Sequence, residues 1–207
     1  MVGNESMTNF EKIENIIKNN NGYVTRKNVD DENIPSFFLS NYAKKKNLRK
    51  IAPGFYARKD WVVDEYFVFQ YQYPKLVYSF YDAAYLNKLG DYIPKYLEVT
   101  GPKNYRPFPL PKEGIILHTD TRKATYFLGI TEIDTIYGNK VKVYDIEKTV
   151  CDFIRYRDKL DSESFVKCIN WYKRRKDKNI NKLMKYASIM KIESRVNDLM
   201  EVVLNED

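Results

Sequence analysis

The chain has 207 residues, of which 43% are hydrophobic and 15% aromatic, a composition that is typical of globular proteins and excludes a disordered one. Its 35 Lys and Arg residues against 28 Asp and Glu give a net charge of +7, which permits a nucleic-acid or an anionic-membrane partner. No apolar run approaches the ~18 residues of a membrane-spanning helix, and two cysteines are too few for a disulfide framework or a structural zinc site. The N-terminus lacks the pattern of a signal peptide, so we expect a cytoplasmic protein of one or two domains without a membrane partner.

The first 35 residues carry the start and stop signals of two helices. Residues 1–7 are expected to be disordered. Thr8 and Glu11 have the spacing of a capping box, and an apolar stripe with helical spacing follows them until an Asn- and Gly-rich stretch. Thr25 is placed to cap a short second helix, and Pro35 suits the first turn of a third.

The stretch from Ser36 to Lys59 concentrates the charge of the chain. It carries seven Lys and Arg residues and no Asp or Glu, so its charge equals the net charge of the whole protein. Positive charge concentrated in a short segment is typical of a surface that meets a polyanion. The cations are Lys44, Lys45, Lys46, Arg49, Lys50, Arg58 and Lys59.

Helical spacing from Ser36 to Lys46 places Leu39, Tyr42 and Ala43 on one face, with Phe38 at its edge. The opposite face carries side chains that can donate to phosphates, hydrogen-bond to base edges or touch a thymine methyl group. These residues are Phe37, Ser40, Asn41, Lys44 and Lys45.

Residues 48–57 predict a short β-hairpin, with a turn at Ala52-Pro53-Gly54 and basic residues on the first arm. A helix followed by a basic hairpin is the pattern of the recognition helix and wing of a winged helix-turn-helix. The alternative is a solvated Lys-rich helix end, which most runs of lysine are.

The rest of the chain predicts a helical junction over 61–75 and a mixed α/β domain over 76–207. Asp60 is placed to cap an aromatic-rich helix that ends at Tyr73-Pro74. Strands are predicted at 76–78, 97–100, 114–118, 126–134 and 140–144, with the last three alternating as antiparallel strands. Helices are predicted from Ser79 to Gly90, after Asp145, and at roughly 162–176, 178–190 and 192–204. The fold class is therefore α+β, with a winged helix-turn-helix over 1–60 and a C-terminal domain of strands (about 76–144) and helices (about 145–204) that ends in a helical bundle.

A second basic cluster, Lys173, Arg174, Arg175 and Lys176, lies at a predicted helix end. One interpretation is a patch that contacts phosphates on DNA or another anionic partner. The other is a solvated helix turn whose cations meet the helix dipole.

An enzyme is the alternative to a DNA-binding protein. Its site would use His118, the only histidine, with Asp120, Glu132 and Asp134. The last two alternate along one predicted strand and could hold Mg²⁺, but the glycine-serine motif of nucleotidyltransferases does not precede them. The turn at residues 101–104 lacks the spacing of a phosphate-binding loop. We therefore predict no catalytic residue, metal or cofactor, and place both cysteines in the core.

The N-terminal pattern GYVTRKNVDDENIPSFFLSNYAKKKNLRKIAPGFYA resembles the winged-helix domain of the AbiEi family. These proteins are antitoxins of bacterial abortive-infection systems, classed as type IV toxin–antitoxin pairs. The similarity continues through YFVFQYQYP, LEVTGPKNYRP and YDIEKTVCDFI, and so extends over nearly the whole chain.

The resemblance implies an antitoxin that binds inverted repeats of double-stranded DNA in its own promoter and represses transcription. It also implies that the C-terminal domain relieves the toxicity of a nucleotidyltransferase toxin, without a stable complex being required. Carried onto this sequence, the DNA contacts on the recognition helix are Ser36, Phe37, Ser40, Asn41, Lys44 and Lys45. Backbone contacts from the helix end and wing are Lys46, Arg49, Lys50 and Arg58. A C-terminal lobe that acts purely as a protein-interaction module is a further alternative, and it predicts co-purification with the toxin.

Overall fold

The computed structural model describes residues 7–91, 93–107, 110, 113–120 and 122–204, without the side chains of 202–204. The architecture is mixed α+β. The chain divides into two compact units, with the boundary between Val68, the last residue of unit 1, and Phe69, the first residue of unit 2. This division falls inside the segment 61–75 that the sequence predicts as a junction. The sequence predicts that residues 1–7 are disordered, and residues 1–6 lie outside the described ranges.

Unit 1 combines helices with a small antiparallel sheet. Its elements are α1 (Asn9–Asn19), β1 (Tyr23–Thr25), α2 (Arg26–Asp31), α3 (Ser36–Lys45), β2 (Arg49–Ala52), β3 (Phe55–Ala57) and the start of α4 (Glu65–Gln72). β3 lies in the centre of the sheet, between β1 and β2. The hairpin β2–β3 and its turn are confirmed. β1 was not predicted, because three residues are too few to show an alternating pattern and only their pairing with β3 makes them a strand.

Local signals set the helix ends of unit 1 as predicted. Thr8 and Thr25 each accept a hydrogen bond from the backbone N–H three residues further on, in reciprocated capping boxes. Asn33 and Asn47, which follow α2 and α3, both adopt the left-handed conformation with φ near 54°. Asparagine tolerates this conformation better than other residues with a Cβ, so each one turns the chain sharply out of a helix.

One face of α3 lies in the core of unit 1. Leu39, Tyr42 and Ala43 are buried and Phe38 is half-buried, as the helical spacing predicts. Leu39 and Tyr42 share an apolar cluster with residues of α1, β1 and α2 and with the chain that leads into α3, namely Ile13, Ile17, Val24, Val29 and Ile34. This packing determines which face of α3 points outward.

The helix after the hairpin begins later than predicted. Asp64, not Asp60, is its cap, since the backbone N–H of Phe67 donates to Asp64 Oδ1 at 3.1 Å. The ring of Trp61 lies 5.6 Å from that of Tyr23, and the ring of Phe67 lies 5.2 Å from it. The intervening chain is not helical because it brings Trp61 onto the small sheet, an interaction that local capping signals do not reveal.

Unit 2 contains a five-stranded mixed sheet and helices that cover it. Its elements are β4 (Val77–Tyr78), α5 (Phe80–Leu86), β5 (Leu97–Pro102), β6 (Ile115–Asp120), α6 (Lys123–Tyr126), β7 (Ile130–Asp134), β8 (Lys140–Tyr144), α7 (Ile146–Arg155), a 3-10 turn (Arg157–Lys159), α8 (Ser162–Arg174), α9 (Ile180–Met190) and α10 (Glu193–Leu204). The strand order is β6-β5-β4-β8-β7. The predicted helices after residue 145 are confirmed within a few residues.

Two predictions for the sheet of unit 2 are wrong. The predicted antiparallel alternation holds for β7 with β8, but β6 lies at the opposite edge of the sheet and pairs in parallel with β5. The predicted strand 126–134 begins only at Ile130. The preceding residues form α6, because Asp120 Oδ1 accepts hydrogen bonds from the Arg122 N–H at 3.0 Å and the Thr125 hydroxyl at 2.6 Å and so begins a helical turn.

One apolar core cluster of unit 2 lies between α5 and the helices α7 to α10. Phe80, Val150, Phe153 and Leu183 are among its buried members. Cys151 and Cys168 are buried there as predicted, and burial raises the pKa of the Cys151 thiol to about 12. Within the described ranges no helix is long and apolar enough to cross a membrane.

Candidate nucleic-acid interface

The outward face of α3 carries the residues that the sequence predicts to meet DNA. Phe37 is 55% exposed, and Ser40, Asn41 and Lys44 are exposed beside it. Ser36, at the helix start, is half-buried. Phe37 stacks on Phe38 with ring centroids 4.2 Å apart, which holds an apolar ring outward at the helix surface.

The polar groups on this face differ in how much hydrogen-bonding capacity they retain. The Ser40 hydroxyl donates to the Phe37 carbonyl at 3.0 Å and keeps its acceptor lone pairs. Among the described residues, the side chains of Asn41 and Lys44 have no hydrogen-bond or ion-pair partner. An unpaired amide can bind the edge of adenine with both its donor and its acceptor, and an unpaired ammonium can bind a phosphate.

The two lysines that follow Lys44 have different surroundings. The ammonium group of Lys45 lies 5.4 Å from the centre of the Phe10 ring, a cation–π contact with α1. Lys46 ends α3. The pKa of Glu14 on α1 is lowered mainly by a hydrogen bond from Tyr42, and the charge of Lys46 lowers it further. Both side chains are exposed, so these contacts orient the two cations without burying them.

The three predicted cations of the hairpin are exposed, but only one of them lacks a partner among the described residues. Lys50, on β2, is that residue. Arg49 donates to the carbonyl of Trp61 at 2.6 Å, and Arg58 lies 3.4 Å from Glu14 Oε1. Of the hairpin cations, Lys50 is therefore the one that an anionic partner could reach with the least rearrangement.

Glu14 is the residue of this surface that sequence analysis missed. It contacts Arg58 and accepts a short hydrogen bond from the Tyr42 hydroxyl, so it lies beside a stretch that contains no acid of its own. The sequence gives little indication that Glu14 lies here, because it is 22 residues before the start of that stretch. Only the packing of α1 against α3 brings it close. Its carboxylate offsets part of the positive field.

In the second basic cluster, Arg175 serves as a structural residue. Its guanidinium donates to both carboxylate oxygens of Asp177 at 2.8 and 2.7 Å. It also donates to the carbonyl oxygens of Asn87 and Lys88, which end α5, at 3.0 and 3.4 Å. Arg175 therefore ties the end of α5 to the connection between α8 and α9 and is only 22% exposed.

The other members of this cluster are more accessible. Arg174 and Lys176 are exposed, and Lys173 is half-buried. The neighbouring Lys178 donates to the carbonyl oxygens of Lys173 and Arg175 at 2.8 and 3.1 Å, and so caps α8. Both interpretations of the cluster thus apply to part of it: capping uses Arg175 and Lys178, while Arg174 and Lys176 extend into solvent.

The residues of the alternative enzyme site do not converge. His118 and Asp120 lie on β6 and Glu132 and Asp134 on β7, at opposite edges of the five-stranded sheet, about 19 Å apart by strand spacing. His118 Nε2 lies 2.7 Å from Glu98, which is a partner that holds the ring in place. Within the described ranges, no three His, Cys, Asp or Glu side chains lie close enough together to hold a metal ion.

In the comparisons with known proteins, no protein-family model matches this chain and no curated protein matches it at a significant level.

Proposed function

We propose that this protein is a DNA-binding transcriptional repressor whose unit 1 is a winged helix-turn-helix. In this proposal α3 is the recognition helix that enters the major groove of promoter DNA. The hairpin β2–β3 is the wing beside it.

The order of elements in unit 1 supports this assignment. Helices α2 and α3 are joined by the four residues 32–35, a length typical of the turn in a helix-turn-helix. A β-hairpin follows α3 directly, as a wing follows a recognition helix. β1 pairs with β3 and so completes a three-stranded sheet.

The observation that carries the proposal is the exposed and unpaired polar face of α3. Asn41 and Lys44 are exposed one helical turn apart and, within the described residues, free of partners. A cation can supply affinity from the phosphate backbone, while an amide reads a base edge. Solvated helix faces usually carry charges of both signs, whereas α3 has no acid.

The proposed contacts divide into two classes. Lys44, Lys45, Lys46, Arg49, Lys50 and Arg58 would bind phosphates and supply most of the affinity. Ser36, Phe37, Ser40 and Asn41 would lie towards the bases and determine the sequence that is bound. Phe37 would offer its exposed ring to a thymine methyl group.

We extend the proposal to an antitoxin role on the resemblance to the AbiEi family. Unit 2 would counter a nucleotidyltransferase toxin in the bacterial cytoplasm, with no stable complex required. The test is the growth of cells that express a nucleotidyltransferase toxin of an abortive-infection system together with this protein. Rescue by the DNA-binding-deficient variant Lys44→Ala with Lys50→Ala would separate neutralisation from repression, whereas failure of the native chain to rescue would exclude this role.

The DNA proposal is tested by measuring the binding of the native chain to a labelled duplex from its own upstream region and to an unrelated duplex, at two salt concentrations. Lys44→Ala should weaken binding to both duplexes and reduce the salt slope by about one. Asn41→Ala should weaken binding to the promoter duplex alone, by about 1–3 kcal/mol, because it removes a base contact. Lys185→Ala is the control, an exposed lysine of α9 in unit 2 whose loss should leave affinity unchanged. Unchanged promoter binding by Lys44→Ala combined with Lys50→Ala would refute the proposal.

A further inference from the structure

Unit 2 contains a cleft of about 510 Å³ whose described lining is strongly cationic. The walls come from the start of α6, the end of α7 with the 3-10 turn, and the connection from α9 to α10. Five cations line it, namely Arg122, Arg155, Lys159, Lys191 and Arg195. The single carboxylate among its described lining residues is Asp158, so the lining carries a net charge of +4, from five positive charges and one negative.

The protein compensates these cations only in part, through Asp158 in the lining and through the electrostatic interaction of Arg155 with Asp152. Within the described part of the chain, none of the five forms an ion pair with a carboxylate. Arg195 donates to the carbonyl of Arg155 at 3.1 Å, an interaction that orients the guanidinium but leaves its charge uncompensated. Like charges gathered in one concave surface repel each other, and a bound anion removes that repulsion.

Arg122 lines the cleft and has a guanidinium group that the protein does not fully satisfy. Its Nη2 atom is buried and has no hydrogen-bond partner within the described residues. Its backbone is held by Asp120 and by the first turn of α6, so the residue is fixed in place. A buried guanidinium nitrogen without an acceptor is costly and uncommon, so the protein leaves the cation of Arg122 incompletely compensated.

Lys191 occupies a backbone position that favours glycine. It ends α9 in the left-handed conformation, with φ at 59°. A side chain with a Cβ is strained in this conformation, and Gly or Asn is the usual residue at such a helix end. Because Lys191 also lines the cleft, Lys191→Gly can remove one of the five cations without straining the backbone.

We propose that this cleft binds an oligophosphate group carried by a small molecule, such as a nucleoside triphosphate. Its volume lies within the range of about 300–1,000 Å³ that is typical of small-molecule sites. Tyr156 adds an aromatic wall, with the guanidinium of Arg155 at 5.4 Å and the ammonium of Lys159 at 5.6 Å from its ring centre. The site is independent of the DNA-binding role proposed for unit 1.

The experiment is calorimetric titration of the full chain with inorganic tripolyphosphate, with ATP and with a single-stranded oligonucleotide. Lys191→Gly removes a cation while it relieves backbone strain, so the fold and its melting temperature should be kept. Its affinity for tripolyphosphate should fall about three- to tenfold, and by more when it is combined with Lys159→Ala. Lys88→Gly is the matched control, because Lys88 is also left-handed, with φ at 57°, at the end of a helix outside the cleft. Its affinity should not change.

The outcomes separate the possible sources of the phosphate. ATP binding tighter than tripolyphosphate, with the same dependence on Lys191, supports a nucleotide ligand, and equal affinities support recognition of the phosphate chain alone. An oligonucleotide that binds tightest with that dependence would overturn the small-molecule proposal. Equal losses in Lys191→Gly and Lys88→Gly, or no saturable binding, would also overturn it. Lys44→Ala with Lys50→Ala in unit 1 should leave ATP binding intact, and a loss there would place the bound phosphate outside the cleft.

Discussion

Two Lys- and Arg-rich stretches of this chain, residues 44–50 and 173–178, differ in what surrounds their cations. In the first, Lys44 and Lys50 are exposed and have no partner within the described residues. In the second, Arg175 and Lys178 donate to the carbonyl oxygens that end helices. Similar local charge thus supplies an accessible surface in one stretch and helix caps in the other.

The physical reason lies in the position of each stretch relative to a helix end. The last carbonyl groups of a helix have no partner within it, and a nearby cation satisfies them. After α3 the chain turns at Asn47, and backbone N–H groups take up the carbonyls of Ala43 and Lys44. The lysine side chains after α3 are therefore not needed to cap this helix and stay available to a partner. In residues 173–178, by contrast, Arg175 and Lys178 bind the carbonyl groups at helix ends.

The largest expected effect on stability is at Lys148, a buried cation that forms an ion pair and so contrasts with the unpaired cations of residues 44–50. Its ammonium lies 2.6 and 2.8 Å from the two carboxylate oxygens of Asp152, with both side chains buried. Lys148→Met should lower the free energy of unfolding by about 3–5 kcal/mol, because it leaves a buried carboxylate without its partner. Urea denaturation measures this loss, and Lys148→Met combined with Asp152→Leu should recover most of it.

The pH dependence of the Lys148→Met variant provides its control. Burial raises the pKa of Asp152, while Lys148 opposes this, so removing Lys148 should raise the pKa further. A carboxyl whose pKa is higher in the folded state binds more protons folded than unfolded. The free energy of unfolding therefore falls as pH rises from the pKa of Asp152 in the unfolded state to its pKa in the folded state. Lys148→Met should thus destabilise the protein more at pH 8 than at pH 5. Equal losses at both pH values would contradict the ion-pair explanation.

An intermediate effect is expected at Arg175. Arg175→Ala removes the donors to the end of α5 and to Asp177, and should lower the free energy of unfolding by about 1–2 kcal/mol. Arg174→Ala, at the exposed neighbour, should change it by less than about 0.5 kcal/mol. Thermal and urea denaturation measure both variants. If the two cost the same, the distinction between anchored and accessible cations within this cluster is wrong.

Apart from the control variants, the smallest expected effect on stability is at Glu14. Glu14→Gln keeps an acceptor for the Tyr42 hydroxyl but removes a negative charge beside Arg58, and should cost about 0.5–1 kcal/mol. Promoter affinity should rise about two- to threefold, because Arg58 is released and the local field becomes more positive. Glu11→Gln, on the same helix and within its capping box, is the control and should leave DNA affinity unchanged. An unaltered affinity in Glu14→Gln would exclude Arg58 from the DNA surface.

Glu14 also predicts how acid affects unit 1. The hydrogen bond from Tyr42 lowers the pKa of Glu14 below its ordinary value of 4.5. A carboxyl whose pKa is lower in the folded state stabilises the fold above its unfolded pKa, and this contribution is lost as pH falls through the folded value. The native chain should therefore lose more stability than Glu14→Gln when pH is lowered from 6 to below 4.5, as circular dichroism can measure.

Much of the fold followed from local patterns. The capping box at Thr8, the apolar face of α3 and the turn at Pro53-Gly54 each depend on residues close together in the chain, and the structure contains all three. The strand β1 and the parallel pairing of β5 with β6 did not follow, because each depends on a partner distant in sequence. The cap at Asp64 did not follow either, because the contact of Trp61 with Tyr23 on the small sheet delays the start of the helix. The exposure of Phe37, Asn41 and Lys44 was predictable from helical spacing, but the pairing of Arg58 with Glu14 was not.

What the sequence by itself determined is the α3–hairpin pattern, its outward residues and its concentration of positive charge, since helical spacing and turn chemistry are local. Only the tertiary structure decided which cations remain accessible, because carboxylates and carbonyls from other elements reach Arg58 and Arg175 through packing. It also brought together the five cations of the cleft in unit 2, which are spread along the chain from Arg122 to Arg195 and form a site only where α6, α7 and the connection from α9 to α10 meet.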